Sequence, residues 1–284
     1  MKVVPHGQMN VAGVVGRPIS HSLSPRLHNI WIRAAGLNAV YMALEPQEAN
    51  FSALLNGLRG SGISGLNVTS PFKTEALRLA DRRTDRAARC GAANLLVFSA
   101  DGRISADNTD GDGLAYALKN QAPNLQIHQT DVLILGAGGA ARGAAVALSD
   151  LGAGRVWIHN RSRQRAEKLV ADLRPHFGER LCIFDPSDQS KGTAALSLMI
   201  NATPSGLEAS ACLGDRLGHL PQLCAVMDMV YRPVETPLLR LAKSTGRPTV
   251  DGLDMLIGQA RPSFVAFFGC DAIEDDVRSE LLAA

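Results

Sequence analysis

Short apolar runs alternate with amphipathic stretches between Val11 and about Ser99. The runs VAGVVG, VYMAL, ISGLNV and NLLVF have the length of strands, whereas PRLHNIWIRAAG, NFSALLNGLRG and PFKTEALRLA repeat apolar residues at helical spacing. This alternation predicts an open sheet with helices on its faces. The first helix has clear ends, because Ser24 can cap it, Pro25 suits its first turn and Gly36 stops it.

A second series of strands and helices begins at Asp131. DVLILGAGGAARGAAVALSDLG predicts a strand, a glycine turn and a helix of small residues, and the strand RVWIHN and a helix from Arg163 to Arg174 follow. The apolar runs LCIF, LSLMIN and AVMDMV are further strands of the kind found in a doubly wound nucleotide-binding sheet. RPVETPLLRLAKSTG predicts a helix, PTV a strand, and DGLDMLIGQARPSFVAFFG and DAIEDDVRSELLAA two final helices.

Two domains are expected for a chain of 284 residues. The nucleotide-binding pattern lies in the middle of the chain, so the last helices are free to return to the first domain. We predict a first domain of residues 1–110 that residues 252–284 complete, and a nucleotide-binding domain of residues 111–251.

The composition argues against nucleic acid or a membrane as a partner. Lys and Arg number 29 and Asp and Glu 27, so the net charge of +2 gives no large field toward a polyanion. No apolar run reaches the roughly 18 residues of a membrane span, and the first residues, MKVVPHGQMNVAG, lack the apolar stretch of a signal peptide. We expect a cytoplasmic protein without an anchor, either a monomer or a homodimer.

The cysteines are scattered, without a CxxC pair and without nearby histidines at zinc spacing. We therefore expect reduced core thiols and no metal site. The five are Cys90, Cys182, Cys212, Cys224 and Cys270.

The glycine turn predicts a dinucleotide site. Gly136, Gly138 and Gly139 end an apolar strand and, with Ala140, open a helix. Glycine allows the tight turn and leaves room for a pyrophosphate at the helix N-terminus. The alternative is a glycine-rich turn that binds no ligand.

The residues after the next strand indicate which dinucleotide is bound. An NAD site usually presents Asp or Glu there, but this chain reads HNRSRQRAEK, with Asn160, Arg161, Ser162 and Arg165. Guanidinium groups suit a 2′-phosphate, so the sequence predicts NADP. The alternative is a solvated basic helix start, which is our expectation for Arg163. The run has no interleaved aromatic residues, which argues against nucleic acid.

Polar residues also cluster at strand ends in the first half. Ser22 and Ser24 follow the first strand and could bind an anion, although Ser24 could equally be only a helix cap. Asn67, Thr69 and Lys73 follow a later strand. The helix dipole disfavours a lysine in a first turn, which suggests a role for Lys73, although a single such lysine is more often a solvated surface group.

The next strand is flanked by Asn94 and by a run of Asn108, Thr109 and Asp110. Asn and Asp before glycines are turn residues by default. Lys73 and Asp110, from loops at the ends of different strands, are nevertheless a plausible proton-transfer pair beside a nucleotide domain. Hydride transfer between an alcohol and nicotinamide needs one, because the hydroxyl proton must leave as the carbonyl forms.

The order and spacing of these motifs resemble the shikimate dehydrogenase family over nearly the whole chain. The matching segments are HSLSP, NVTSPFK, NTD, GAGGAAR, NRS, NAT, DMVYRPVETPLL and MLIGQA. The resemblance implies an α/β substrate domain completed by the C-terminal helices, a Rossmann-like NADP-binding domain, and the reversible reduction of 3-dehydroshikimate to shikimate, a step toward the aromatic amino acids.

The resemblance also implies roles for individual residues. Ser22 and Ser24 would hold the substrate carboxylate, and Tyr231 would lie near the substrate. Lys73 and Asp110 would be the catalytic pair. The ring hydroxyls would be bound by Asn67, Thr69, Asn94 and Gln259. The cofactor would be bound by Gly136, Gly138, Gly139, Ala140, Asn160, Arg161, Ser162, Arg165 and Thr203.

Several positions depart from the family pattern and bear on the ring substrate. Leu95 stands where the family commonly has Thr, Pro204 and Ser205 replace the more common Ser-x after NAT, and Arg261 and Pro262 follow Gln259 and Ala260. A lost hydroxyl contact can change substrate choice. A quinate or aminoshikimate dehydrogenase and a non-catalytic, ligand-sensing relative therefore remain alternatives.

Overall fold

The computed structural model describes residues 7, 9–185, 196–203, 220–273 and 276–283. Its backbone contacts divide the chain into two compact units, which we call unit 1 (Met1–Thr109 with Gln259–Ala284) and unit 2 (Asp110–Gly258). The predicted domain boundaries near residues 111 and 251 stay a prediction.

The strands are β1 (Asn10–Val15), β2 (Ala39–Leu44), β3 (Ile63–Val68), β4 (Arg82–Arg83), β5 (Leu95–Phe98), β6 (Ile104–Asp107), β7 (Asp131–Leu135), β8 (Val156–His159), β9 (Leu181–Ile183), β10 (Leu196–Asn201), β11 (Ala225–Asp228) and β12 (Thr249–Val250). The α-helices are α1 (Ser24–Ala34), α2 (Phe51–Leu58), α3 (Lys73–Leu79), α4 (Asp85–Cys90), α5 (Asp110–Gln121), α6 (Gly139–Asp150), α7 (Arg163–Phe177), α8 (Pro237–Ser244), α9 (Gly252–Phe268) and α10 (Val277–Leu282).

Unit 1 is built on a mixed sheet with the strand order β2-β1-β3-β5-β6-β4. β1 runs parallel to both β2 and β3, whereas β5 runs antiparallel to β3 and β6. Apolar side chains of β1, β3, β5 and β6 form a core with those of α2 and α3, including the stacked rings of Phe51 and Phe72. The predicted open α/β sheet of the first half is confirmed.

The second half of α9 belongs to this unit. Phe264 packs edge-on against Trp31 of α1, and Phe267 lies so close to β3 that a Cβ on Gly65 would come within 2.3 Å of its ring. α10 contacts α1, where Arg26 donates to the carbonyl of Glu280 at 2.5 Å. The prediction that the C-terminal helices complete the first part of the fold is therefore confirmed.

Unit 2 is built on a parallel sheet with the strand order β12-β11-β10-β7-β8-β9. Read from β9, this is the doubly wound order 3-2-1-4-5-6, in which the strand order reverses between β7 and β10. Ligands of such sheets bind beyond the carboxyl ends of the strands at this switch point. The predicted Rossmann-like architecture is confirmed.

Some local predictions were wrong. Ser24 does not cap α1: the N-cap is Leu23, without a side-chain cap, and the Ser24 N–H instead donates to Ser22 Oγ at 3.2 Å. α7 runs to Phe177, past the predicted end at Arg174. Pro175 in its last turn has no N–H to donate, but the N–H of Gly178 donates to the Arg174 carbonyl and closes the helix. Gly36 does follow the end of α1 with a φ of +63°, as predicted.

The cysteines are only partly as expected. Cys90 and Cys224 are buried free thiols, and burial raises the pKa of Cys224 to about 12. Cys182 and Cys270 are partly exposed, although Cys182 packs against the apolar core of unit 2. Cys212 lies outside the described residues.

Within the part of the chain that the structure describes, no helix is long and apolar enough to cross a bilayer. The same residues contain no cluster of three His, Cys, Asp or Glu that could bind a metal ion.

His28 lies in the interior of unit 1 with its ring stacked on Tyr41 at a centroid distance of 4.0 Å. Trp31 and Phe264 contact the same imidazole, and neither ring nitrogen has a hydrogen-bond partner among the described residues. Burial lowers the pKa of His28 from 6.5 to about 3. The imidazole is therefore neutral in the folded protein at neutral pH.

We predict that His28 makes the protein lose stability below pH 6.5. The unfolded chain takes up a proton near pH 6.5 and the folded chain only near pH 3, so a falling pH favours unfolding through this window. The loss is about 2 kcal/mol of unfolding free energy between pH 7 and pH 5. Urea titrations at both pH values should show the loss in His21→Leu, an exposed control, and its reduction in His28→Leu. Equal losses in both variants would contradict the prediction.

Candidate active site

The glycine turn lies between β7 and α6, at the switch point of the parallel sheet. Gly136 has a φ of +121°, and a Cβ there would come within 3.0 Å of the Ala202 carbonyl, so only glycine fits. Gly138 is the N-cap of α6, and a Cβ on it would meet no atom within 4 Å. Gly139 and Ala140 form the first turn of the helix. The helix N-terminus is thus open to a phosphate, which fits a dinucleotide.

The loop after β8 presents two arginines on the surface. Asn160 donates through Nδ2 to the Ser162 carbonyl at 2.9 Å, and Ser162 caps α7 by accepting the N–H of Arg165. The side chains of Arg161 and Arg165 are exposed. Among the described residues Arg165 forms no ion pair, so its guanidinium can bind an anion such as a 2′-phosphate.

Arg163 has a different role from its two neighbours. Its guanidinium contacts Glu167 at 2.9 Å and Asp185 at 3.3 Å. Glu167 raises the pKa of Arg163 most, through a hydrogen bond and its charge, and Asp185 raises it further in the same way. This pairing is typical of a surface side chain, as the sequence predicts for Arg163.

Arg142 of the GAGGAAR motif has a role that the sequence did not reveal. It is buried in α6, and its guanidinium forms an ion pair with Asp172 of α7. Burial raises the pKa of Asp172, but hydrogen bonds from Arg142 and Lys168 outweigh burial, so that the pKa lies below its ordinary value. The pair joins the helix that begins at the glycine turn to the helix that begins at the basic loop.

In unit 1 the two predicted serines and Thr69 lie beyond the carboxyl ends of β1 and β3. Ser22 is partly buried and Ser24 is buried. Thr69 is close to the turn after β1, because a Cβ on Gly16 would lie 2.2 Å from its methyl group. The parallel pairing of β1 with β3 brings these two turns to one edge of the sheet.

Lys73 and Asp110 are each the first residue of a helix. The predicted first-turn position of Lys73 is therefore confirmed, whereas the expectation of a turn residue at Asp110 was wrong. Lys73 is partly buried at the start of α3, and its carbonyl accepts the N–H of Ala93 at 2.8 Å. Asp110 is buried at the start of α5. The helix dipole favours the Asp110 carboxylate and disfavours the Lys73 cation in these positions.

A buried network joins three of the predicted ring-binding residues. Asn94 Nδ2 donates to Gln259 Oε1 at 3.3 Å and to Thr109 Oγ1 at 3.0 Å, while its Oδ1 accepts the Thr109 N–H at 2.7 Å. The Thr109 hydroxyl in turn donates to the Gln259 carbonyl at 2.9 Å. Thr109 is therefore a member of this site, whereas the sequence predicts only a turn residue there.

Asn67 belongs to the same network and is bound there by Tyr41 and Ser263, which the sequence does not identify as site residues. Its Nδ2 donates to the Asn94 carbonyl at 3.1 Å and to Ser263 Oγ at 2.7 Å, and its Oδ1 accepts the Tyr41 hydroxyl at 2.7 Å. Both amide hydrogens are used. Asn67 thus has only acceptor capacity left for a ligand.

The remaining predicted residues lie near the ends of β10 and β11. Thr203 donates through its N–H and its hydroxyl to Asn201 Oδ1, at 3.1 and 2.7 Å. Tyr231 is partly buried beyond β11. Of the departures from the family pattern, Leu95 is buried at the start of β5 and Arg261 and Pro262 lie within α9, whereas Pro204 and Ser205 are outside the described residues.

A doubly wound sheet with an open glycine turn at its switch point defines a dinucleotide-binding protein. The chain belongs to the shikimate dehydrogenase family. The model for the shikimate dehydrogenase substrate binding domain matches residues 14–96, and the model for shikimate / quinate 5-dehydrogenase matches residues 117–202.

Known proteins match nearly the whole chain in sequence and in fold. The shikimate dehydrogenase (NADP(+)) of Caulobacter vibrioides is 47% identical over 270 residues, which cover 93% of this chain and 91% of that protein. The crystal structure of shikimate 5-dehydrogenase from Thermus thermophilus in complex with NADP(H) and shikimate has a TM-score of 0.82 and 32% identity, covering 97% of this chain and 99% of that one. Quinate dehydrogenase from Corynebacterium glutamicum in complex with NAD has a TM-score of 0.86 and 29% identity, with coverage of 97% and 99%.

We predict that Ser263→Ala destabilises the protein by about 1–3 kcal/mol, because it leaves a buried N–H of Asn67 without an acceptor. The matched control is Ser244→Ala in α8. Both serines donate to a preceding helix carbonyl, but Ser244 is exposed and accepts no side-chain amide from the residues that the structure describes. Urea unfolding measures both variants. A Ser263→Ala effect as small as that of the control, within roughly 0.5 kcal/mol, would count against the network.

Proposed function

We propose that this protein catalyses the NADP-dependent, reversible reduction of 3-dehydroshikimate to shikimate, a step toward the aromatic amino acids. The observation that carries the proposal is the likeness to the NADP(+)-dependent enzyme of Caulobacter vibrioides over both units of the chain. The polar network of unit 1 and the open glycine turn of unit 2 suit a polyhydroxy acid and a dinucleotide, respectively.

The residues of unit 2 fit NADP. The turn of Gly136, Gly138 and Gly139, with Ala140, would hold the pyrophosphate at the N-terminus of α6. Asn160, Arg161, Ser162 and Arg165 would hold the adenosine ribose and its 2′-phosphate, and Thr203 would contact the cofactor at the end of β10. NADP, when bound, accepts or supplies the hydride at its nicotinamide ring.

The proposed substrate residues lie in unit 1, apart from Tyr231 of unit 2. Ser22 and Ser24 bind the carboxylate, and Thr69, Asn94 and Gln259 bind ring hydroxyls, with Tyr231 near the substrate. Asn67 accepts a hydrogen bond from a ring hydroxyl, since both of its own amide hydrogens are used inside the protein. A ligand must therefore offer Asn67 a donor.

Lys73 and Asp110 are the proposed acid/base pair. During oxidation Lys73, which shares its own proton with Asp110, accepts the proton of the substrate hydroxyl. During reduction Lys73 returns the proton to the oxygen of the developing alcohol. The pair thus removes the charge that would otherwise build up on that oxygen in the transition state.

A quinate or aminoshikimate dehydrogenase is the second candidate. The quinate dehydrogenase of Corynebacterium glutamicum shares the fold as closely as the shikimate enzymes do, so the fold does not decide the ring substrate. The serine pair favours shikimate, because the additional C1 hydroxyl of quinate needs room near the carboxylate. A non-catalytic, ligand-sensing relative is less favoured, since such a protein would not need Lys73 and Asp110.

The surroundings of the enzyme are part of the same proposal. We infer a cytoplasmic enzyme that acts as a monomer or a homodimer on a small hydroxy acid. Analytical ultracentrifugation distinguishes the two assemblies, and a larger assembly would contradict the proposal.

We expect kcat/KM to be highest for shikimate with NADP in a matrix of shikimate, quinate and an amino analogue, each tested with NADP and NAD. The variant with Arg161→Ala and Arg165→Ala should lose roughly 100-fold in kcat/KM for NADP and little for NAD, because two charge-assisted contacts to the 2′-phosphate are removed.

Arg163→Ala is the control for this matrix, because Arg163 is paired with Glu167 and Asp185. Its preference for NADP should be unchanged. A higher kcat/KM on quinate would favour the second candidate, and an equal loss with both cofactors would remove the arginines from the phosphate site.

Lys73→Met and Asp110→Asn should each lower kcat by roughly 10²- to 10⁴-fold and change KM much less, because proton transfer acts in the transition state. Steady-state kinetics with shikimate and NADP measure the effect. Lys119→Met and Asp85→Asn are the controls: Lys119 is exposed on α5, and Asp85 is, like Asp110, the first residue of a helix. Near-full kcat in Lys73→Met would rule out its role as the acid/base.

A further inference from the structure

Asp228, the last residue of β11, is a fully buried carboxylate that the proposed chemistry does not use. Its Oδ1 accepts from Asn201 Nδ2 at 2.9 Å and from the Val230 N–H at 3.1 Å, and its Oδ2 accepts the Thr236 hydroxyl at 2.7 Å. None of its contacts among the described residues is with a cation. We call these four residues the Asp228 cluster.

The Asp228 cluster joins three segments at the carboxyl edge of the unit 2 sheet. Asn201 ends β10, Val230 lies in the turn after β11, and Thr236 caps α8 by accepting the N–H of Leu239 at 3.3 Å. The N–H of Met229 also donates to the Asn201 carbonyl at 3.0 Å. One carboxylate therefore holds the turns that follow two neighbouring parallel strands.

A continuous path of contacts leads from Asp228 to the glycine turn. Asn201 uses its amide nitrogen toward Asp228 and its Oδ1 toward both the N–H and the hydroxyl of Thr203. The intervening residue, Ala202, donates its N–H to the Leu135 carbonyl at 2.8 Å, and its own carbonyl lies against Gly136. The position of the turn after β10 thus limits the position of the glycine turn.

A carboxylate is the one side chain that fixes this arrangement in a single orientation. An ionised carboxylate only accepts hydrogen bonds, so Asn201 must turn its NH₂ toward Asp228 and its oxygen toward Thr203. An asparagine at position 228 could pair with either orientation of the Asn201 amide. Burial is the largest influence on the pKa of Asp228 and raises it, against the hydrogen bonds of the cluster. Burying a carboxylate is costly unless hydrogen bonds compensate for the lost water, and three donors do so here.

We propose that Asp228 is a positioning residue of the cofactor site, which aligns the turn after β10 and, through it, the glycine turn for binding of a dinucleotide. The inference rests on the proposed function, because it takes the glycine turn to be the NADP site. Asp228 acts through Asn201 and does not touch the cofactor.

The test is the Kd for NADPH, measured by nucleotide fluorescence in the absence of substrate, at a temperature where circular dichroism shows every variant to be folded. Asp228→Asn should raise the Kd at least 10-fold. Thr236→Val removes one donor of the cluster and should raise the Kd about 3-fold or more. Thr236→Ser keeps the hydroxyl and the cap, and its Kd should stay within 2-fold of the wild type.

Thr245→Val is the matched control, because Thr245 lies at the other end of α8 and donates only to helix carbonyls. It should leave the Kd within 2-fold of the wild type. If Asp228→Asn and Thr236→Val lower the melting temperature but bind NADPH as tightly as Thr245→Val does, Asp228 is only structural and the inference is overturned. A wild-type protein that binds no NADPH would instead overturn the proposed function.

Should Asp228→Asn fail to fold, Thr236→Val and Thr236→Ser decide the matter. Weaker NADPH binding in the valine variant alone supports the inference, and equal binding in both overturns it.

Discussion

Parallel pairing of β1 with β3, and of β7 with β10, is the constraint on which both parts of the candidate site depend. Because parallel strands end at the same edge of a sheet, the residues that follow two such strands lie close together there, although they are distant in the chain. Thr69 meets Gly16 in one unit and Ala202 meets Gly136 in the other for this reason. Each contact needs glycine, because a Cβ would meet the neighbouring turn.

The turns at these edges must satisfy their polar groups without relying on solvent. In unit 1 the amides of Asn67 and Asn94 bind the backbone and the hydroxyls of Thr109 and Ser263. Each such contact is worth only about 1 kcal/mol, but removing one partner leaves the other buried and unpaired, which costs more. The networks therefore hold the turns in one arrangement, and they also decide which atoms remain for a ligand.

The sequence was informative where the signal is local. A stretch of about ten residues is enough to recognise the apolar runs, the glycine turn before α6 and the arginines after β8. The helix α5 was missed because two glycines in its first turns lower helix propensity, although Asp110 and Asp112 favour its N-terminus. Strand β4, of two residues, is too short to show a period.

Partners distant in the chain were beyond reach of the sequence. Ser263 is 196 positions from Asn67, and no pattern in α9 indicates that its hydroxyl is an acceptor for that amide. Asp228 and Asn201, 27 positions apart, stood in recognised motifs, but their mutual hydrogen bond follows only from the pairing of β10 with β11.

The balance of hydrogen-bond donors and acceptors explains why position 67 is an asparagine and position 228 is an aspartate. Around Asn67 one donor, the Tyr41 hydroxyl, meets two acceptors, the Asn94 carbonyl and Ser263 Oγ. An aspartate there would face the carbonyl with no hydrogen to offer. Around Asp228 three donors converge, and an asparagine would turn its NH₂ toward one of them. Since burial makes either mismatch expensive, each residue type is a consequence of its surroundings rather than of its own propensity.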